Sequence, residues 1–408
     1  MGEIDRRAFL AGSALWLGCA RSQAPAPPAP AAPAPDPAPA PDPDPDLRTG
    51  IRDQGSGIRE SKKEAAYALF ERFPALGEQV PRVAIGAFPA GIEHASAIDL
   101  GGRIWIKRDD GLAGTFGGGK VRKLELYFGE ARALGKKRII TCGGVGSNQA
   151  VAVALLGREL GFSVRLHLAP QPLSTLTTKN LAADAASNAE MRLFDTVADA
   201  HARALRDAKE AGDTYVIPPG GTTPLGTLGF VSAGLELAED VRAGRMPEPR
   251  RIYVALGLGG SAAGLGIGCL LGGLGTEIVG VRASSPGTIT PATLRAIHDE
   301  TIAFCRARDA SFPALRHADT KVRIDGRFIG PGYGVATREG NDAIARARES
   351  EGWDLDPVYT GKALAALLDD AARDAPGPLL FWNTMSSRPV GAAPIPPAFQ
   401  RFAREASR

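Results

Sequence analysis

Twice in this sequence a short β-branched run passes through glycines straight into an amphipathic helix. Residues 138–142 lead through Gly143-Gly144-Val145-Gly146 into Ser147-Asn148-Gln149 and an apolar face of Val151, Leu155 and Leu160. Residues 252–256 lead through Gly257-Leu258-Gly259-Gly260 into Ser261-Ala262-Ala263-Gly264. A third helix opens directly from Gly117-Gly118-Gly119 at Lys120, with Leu124, Phe128, Ala131 and Leu134 on one face. A strand that runs into a helix cannot close as a hairpin, so it returns to its sheet by a parallel crossover. Further strands are predicted at 103–107, 163–168, 215–218 and 278–281, each short and bounded by Gly, Pro or charge. Their alternation with helices of 3.6-residue period specifies an α/β chain with parallel strands.

The glycines also carry chemistry. Beside three of them, the Lys120 amine can approach a planar ring closely, and a depressed pKa would let it join a carbonyl cofactor as a Schiff base. Pyridoxal phosphate is the first candidate. Ser147 and Asn148 are good helix N-caps, and the same helix start offers backbone N–H groups to a carboxylate; both readings hold together. The Gly257–Gly264 loop has the form of a backbone nest for phosphate. It also fits a dinucleotide fingerprint, but the strand at 278–281 ends in Arg282-Ala283-Ser284-Ser285, without the acid that would hold a ribose.

At 408 residues with 44% hydrophobic side chains, the chain is long enough for two lobes. Its 48 basic and 45 acidic residues leave a net charge of +3, which gives no electrostatic footprint for nucleic acid. Cys19, Cys142, Cys269 and Cys305 form no CxxC pair and the five histidines are scattered, so no metal site is expected.

The first 22 residues read as an export signal. Arg6-Arg7-Ala8-Phe9-Leu10 begins a twin-arginine pattern, and the apolar segment 8–18 is too short to span a bilayer as a mature helix. Leu17-Gly18-Cys19-Ala20 is similar to a lipobox, with Trp16 where an aliphatic residue is usual. Cys19 is either lipidated or an unmodified cysteine of a signal cut elsewhere. Residues 23–65 form a Pro/Ala/Asp-rich tether and lead-in. The expected location is periplasmic, or membrane-anchored through the signal or lipid alone.

Taken in order, several segments resemble the pyridoxal-phosphate enzymes of fold type II, and among them the family of D-cysteine desulfhydrase and 1-aminocyclopropane-1-carboxylate deaminase. They are Ile104-Trp105-Ile106-Lys107-Arg108-Asp109-Asp110, the Lys120 segment, Ser147-Asn148-Gln149, Ile217-Pro218-Pro219-Gly220-Gly221, the glycine loop, Gly330-Pro331-Gly332-Tyr333-Gly334 and Asp356-Pro357-Val358-Tyr359-Thr360-Gly361-Lys362. The resemblance implies a fold like the tryptophan synthase β-subunit, two open twisted-sheet α/β domains with the cofactor between them. The larger domain is expected at 66–122 plus 224–405, the smaller at 123–223. A homodimer is implied as well.

By the same resemblance Lys120 anchors the cofactor and acts as base, with Lys123 read as a helix residue outside the cofactor contact. Asn148 meets the ring hydroxyl. Gly257, Leu258, Gly259, Gly260 and Ser261 cradle the phosphate, and Thr360 meets the pyridine nitrogen. Ser147, Asn148, Gln149 and Thr384 are the implied substrate contacts, with Ser147 also assisting proton transfer and Tyr333 and Tyr359 as the candidate hydroxyl partners near the substrate. Either tyrosine could instead be a core aromatic with a satisfied hydroxyl. A neutral threonine at position 360, where the deaminase has glutamate, favours elimination. Three positions depart from the family: Gly119 replaces asparagine, Gly146 replaces glutamine, and Asn383-Thr384-Met385-Ser386 replaces His-Thr-Gly-Gly. These losses are expected to open space at the pocket, with Met385 and Ser386 adding bulk. The expected activity is β-elimination from a small amino acid, D-cysteine first, giving keto acid and ammonia. The alternatives are a deaminase-like activity on 1-aminocyclopropane-1-carboxylate or a tethered binding protein without turnover.

Overall fold

A computed structural model describes residues 67–98, 101–373 and 377–406. The signal, Cys19 and the tether therefore lie outside the described residues. In chain order the strands are β1 (Gly91–His94), β2 (Ile104–Arg108), β3 (Arg138–Gly144), β4 (Ser163–Ala169), β5 (Glu190–Leu193), β6 (Thr214–Ile217), β7 (Arg251–Leu256), β8 (Glu277–Arg282), β9 (Val322–Asp325) and β10 (Leu379–Asn383). They form a six-stranded sheet in the order β1-β2-β10-β7-β8-β9 and a four-stranded sheet in the order β5-β4-β3-β6. Every pairing is parallel except β1 against β2.

All six strands expected from sequence are present, within a residue or two of their predicted ends. The other four were not foreseen. β1, β5 and β9 are four-residue edge strands, too short to show alternation. β10 is buried along its whole length, Leu379 to Asn383, so its near-uniform apolar run carries no period of 2.

The Lys120 helix (Lys120–Ala133) is buried from Val121 to Gly129. Its predicted apolar face needs one correction: Leu134 is the C-cap residue and is 53% exposed. Among its buried residues is a charge, Arg122, whose guanidinium donates to Asp109 (2.7 and 2.8 Å) and to Glu236 (2.9 Å). Lys107 donates to Glu236 at 2.8 Å and Asp240 at 2.5 Å, and Trp382 Nε1 donates to Asp109 at 2.8 Å. Burial alone would raise the Glu236 carboxyl, but Arg122 and Lys107 outweigh it and hold it below the usual range. This network explains the Lys107–Asp110 motif. It ties β2, β10 and the helix Pro224–Arg242 to the helix that carries Lys120, and removing one partner of such a buried set costs about 3–5 kcal/mol.

Candidate active site

Lys120 opens its helix and is half-buried, with Nζ 3.4 Å from the Gly220 carbonyl oxygen. Burial lowers its pKa from 10.5 to about 8. Lys123 does not face away, as its sequence position suggested. One turn further on the same helix face, it turns its Nζ to the same Gly220 carbonyl at 3.3 Å. Burial first, and the Lys120 charge second, hold its pKa well below the ordinary lysine value. Two amines at one carbonyl, without an ion pair among the described residues, make a site that favours an anion.

The glycine loop supplies the other side. Gly259 turns through a φ of +95°, and the helix Gly260–Leu271 starts directly after it. A Cβ on Gly260 would stand 3.2 Å from Lys123 Nζ and 3.2 Å from Thr227 Oγ1, and that buried hydroxyl has no partner. Lys123 Nζ and the unpartnered Thr227 hydroxyl thus both lie against the start of a helix whose first amides have no intrahelical acceptor, an arrangement that fits a phosphate group. Leu258 packs on Gly220, and Ser261 is half-buried in the first helical turn. Gly257 lies under the Tyr359 ring, 3.5 Å from where its Cβ would be.

On the opposite wall Ser147 is the N-cap of the helix Asn148–Glu159, its Oγ accepting from Ala150 N at 3.3 Å. Val151 N donates to the Ser147 carbonyl, so the amides of Asn148 and Gln149 are the first-turn donors the helix leaves over. Gly143 is required here: a Cβ would come within 2.8 Å of Ser147 Oγ. Asn148 is half-buried and accepts from Asn180 Nδ2 at 2.9 Å. Gln149, expected as a substrate contact, is 3% exposed and donates to Thr141 Oγ1 and Pro218 O. Its side chain joins β3 to the segment after β6, so only its backbone faces the site.

Tyr359 donates to Tyr333 at 3.2 Å, the two rings lying edge to face. Burial raises both hydroxyl pKa values, that of Tyr359 strongly, so both stay protonated through the ordinary pH range. Thr360 is buried, and its hydroxyl is not isolated: it donates to Asp356 Oδ2 at 2.9 Å and accepts from Asp356 N at 2.9 Å. With its proton held by Asp356, Thr360 offers the site an acceptor. The hydroxyl at this position is neutral, and Asp356 orients it.

The three departures are filled rather than open. A Cβ on Gly119 would meet Phe230 Cζ at 2.9 Å and Thr384 Cγ2 at 3.0 Å. A Cβ on Gly146 would meet Gln171 Nε2 at 2.6 Å and Thr177 Oγ1 at 3.0 Å. Gln171 and Thr177 therefore occupy the volume expected to be vacant. Thr384, half-buried, accepts from Gly119 N at 3.1 Å through its carbonyl, directly beside Lys120. Ser386 Oγ accepts from Gly117 N at 2.9 Å, Ser387 N donates to Asp110 O at 3.1 Å, and Met385 Sδ lies 3.7 Å from Asn148 Nδ2. The segment 383–388 is thus the wall that joins the Lys120 side to the Ser147 side.

Lys123, Thr227, Gln171 and Asn180 were missed from sequence. Helical spacing from Lys120 was a sufficient signal for Lys123; the other three come from elements distant in the chain and carry no local signature. Among the described residues no cluster of three His, Cys, Asp or Glu side chains is placed to hold a metal.

Residues 86–384 match the protein family described as pyridoxal-phosphate dependent enzyme. Nocardicin C-9' epimerase of Nocardia uniformis subsp. tsuyamanensis is 33% identical over 306 residues, spanning 72% of this chain and 90% of that protein. The crystal structure of an ACC deaminase homologue matches with a TM-score of 0.65 at 31% identity, over 76% of this chain and 93% of that one. Threonine deaminase isoform 2 from Solanum lycopersicum matches with a TM-score of 0.50 at 18% identity, over 83% and 92%, a likeness of fold. The Lys120 and Lys123 amines beside the glycine turn fit such a cofactor, and the chain belongs to the family of pyridoxal-phosphate-dependent enzymes, has the type II fold and uses pyridoxal 5'-phosphate.

Proposed function

We propose that this enzyme is a lyase that removes the α-proton and then the β-substituent of a small amino acid, with D-cysteine as substrate. One water is consumed, and pyruvate, sulfide and ammonia are released. The Cβ–S bond breaks with its electron pair leaving on sulfur. The observation that carries the reading is the Lys120 amine, whose pKa of about 8 makes it a usable nucleophile and base near neutrality, within one walled site with two protonated tyrosines.

Bound pyridoxal phosphate supplies the electron sink. Lys120 Nζ would anchor it, and the same amine would take the substrate α-proton. Lys123, Thr227 and the amides from Gly257 to Ser261 hold its phosphate. Ser147 and the amides of Asn148 and Gln149 hold the substrate carboxylate, with Thr384 beside them. The Tyr359–Tyr333 pair supplies a proton toward the leaving group through Tyr333, whose own hydrogen stays free while it accepts from Tyr359, a role open to a phenol and closed to a phenolate.

The epimerase relative favours a second reading. The same α-proton removal would be followed by return of a proton to the opposite face, with no bond to the β-substituent broken. A deaminase-like reaction on 1-aminocyclopropane-1-carboxylate is a variant of the first reading. Purified protein and its Lys120→Ala variant, incubated with D-cysteine in deuterium oxide, separate these. Pyruvate and sulfide from the wild type alone support the lyase. Deuterated substrate of inverted configuration supports the epimerase. A visible cofactor band with neither product nor exchange, across D- and L-amino acids and 1-aminocyclopropane-1-carboxylate, supports a binding protein and overturns both.

Export by the twin-arginine route to the periplasm or its membrane face, and assembly as a homodimer, belong to the same proposal. The signal motif supports the first. Cell fractionation of the full chain beside an Arg6→Lys, Arg7→Lys variant tests it, and light scattering tests the second.

A further inference from the structure

Asn148 does not set its own orientation. Its carboxamide oxygen accepts from Asn180 Nδ2 at 2.9 Å, and the same Nδ2 donates to the Gly146 carbonyl at 2.9 Å. Both hydrogens of the Asn180 amide are therefore directed at the turn that leads into the Asn148–Glu159 helix. Asn180 is itself immobilised: it is 4% exposed, on the buried stripe Thr177, Asn180, Leu181 and Asp184 of the helix Thr175–Ala186. A capping box between Ser174 and Thr177 fixes the start of that helix. With its oxygen occupied, Asn148 can only turn its NH2 group away from Asn180, and there it meets Met385 Sδ at 3.7 Å, a weak acceptor.

We propose that Asn180 is a positioning residue that fixes the Asn148 amide with its donors toward the cofactor. This rests on the reading that Asn148 faces the ring oxygen. A donor at that oxygen stabilises its anionic form. An amide free to flip would present an acceptor part of the time, and the anionic form would be lost at a higher pH.

The test is a pH titration of the visible absorbance of the pyridoxal-phosphate-loaded protein, without substrate. Asn148→Ala should raise the midpoint by about one pH unit, tenfold in the protonation equilibrium for one hydrogen bond. Asn180→Ala should raise it similarly, and the Asn148→Ala, Asn180→Ala double variant no further than Asn148→Ala alone. Asn180→Asp keeps the shape but offers an acceptor, so Asn148 reverses and the midpoint again rises; this variant serves where the alanine does not fold. An unmoved midpoint in the Asn180 variants, with Asn148→Ala shifted, overturns the proposal alone. Full additivity in the double variant does the same, since it makes Asn180 a general structural residue. No shift in Asn148→Ala overturns the proposal together with the placement of Asn148 beneath it.

Discussion

The sharpest expectation concerns the pH at which cofactor-free protein captures added pyridoxal phosphate. Burial disfavours the charged form of Lys120 and brings its pKa from 10.5 to about 8. At pH 7 about one-tenth of the amine is then neutral, against roughly 0.03% for an ordinary lysine, an advantage of about 300-fold. The sign follows directly: falling pH recharges the amine and removes the nucleophile, while above pH 8 there is little more neutral amine to gain. The capture rate, followed as the growth of the visible band and normalised to capture by a free lysine derivative in the same buffer, should exceed that reference by about 300-fold at pH 7. The advantage should shrink about sixfold per unit between pH 8 and 10 and nearly vanish above. Lys120→Ala should give no band. A rate that parallels the free amine up to pH 10.5 would show Lys120 solvated and refute the argument.

Other expectations follow from single contacts. Gly146→Gln, which restores the family's residue, should lose about 1–3 kcal/mol in urea unfolding because its Cβ falls 2.6 Å from Gln171 Nε2; adding Gln171→Ala should recover a large part, and equal stability of Gly146→Gln and wild type would sink the packing account. Lys123→Met should weaken pyridoxal-phosphate affinity about 10–100-fold, the contribution of a charged hydrogen bond, while saturating cofactor still gives the Lys120-dependent band. Tyr333→Phe should leave cofactor affinity within about twofold and lower kcat at least about tenfold, the loss of the donor used in the reaction; an unchanged kcat would return the Tyr359–Tyr333 pair to packing. Asp109→Asn should cost about 3–5 kcal/mol of stability, read by urea titration, because Arg122 loses a buried partner.

Much of the site was legible because its chemistry sits at turns. Gly118, Gly220 and Gly259 all have φ values above +60°, conformations in which a side chain is strained. Lys120 and the candidate phosphate loop stand beside Gly118 and Gly259, and Ser147 follows Gly146 as an N-cap, so local sequence singled out Lys120, Ser147, Asn148 and Gly257–Ser261. What misled was reading each departure by itself. Gly146 looked like a lost amide, and Gly119 like lost bulk; in three dimensions Gln171 and Phe230 fill those volumes.

The strand-turn-helix units, and the candidates for anchor and cradle, are legible along the chain because period, glycine placement and helix capping are properties of neighbouring residues. Only the tertiary structure decided that β10 enters the large sheet between β2 and β7, and that its continuation, residues 383–388, walls the site. Packing alone brought Asn180 into hydrogen bonds with Asn148 and Gly146 and set the partnerless Thr227 hydroxyl against Gly260. The physical reason is that packing and buried hydrogen bonding select partners by distance in space, and most of these partners lie many residues apart along the chain.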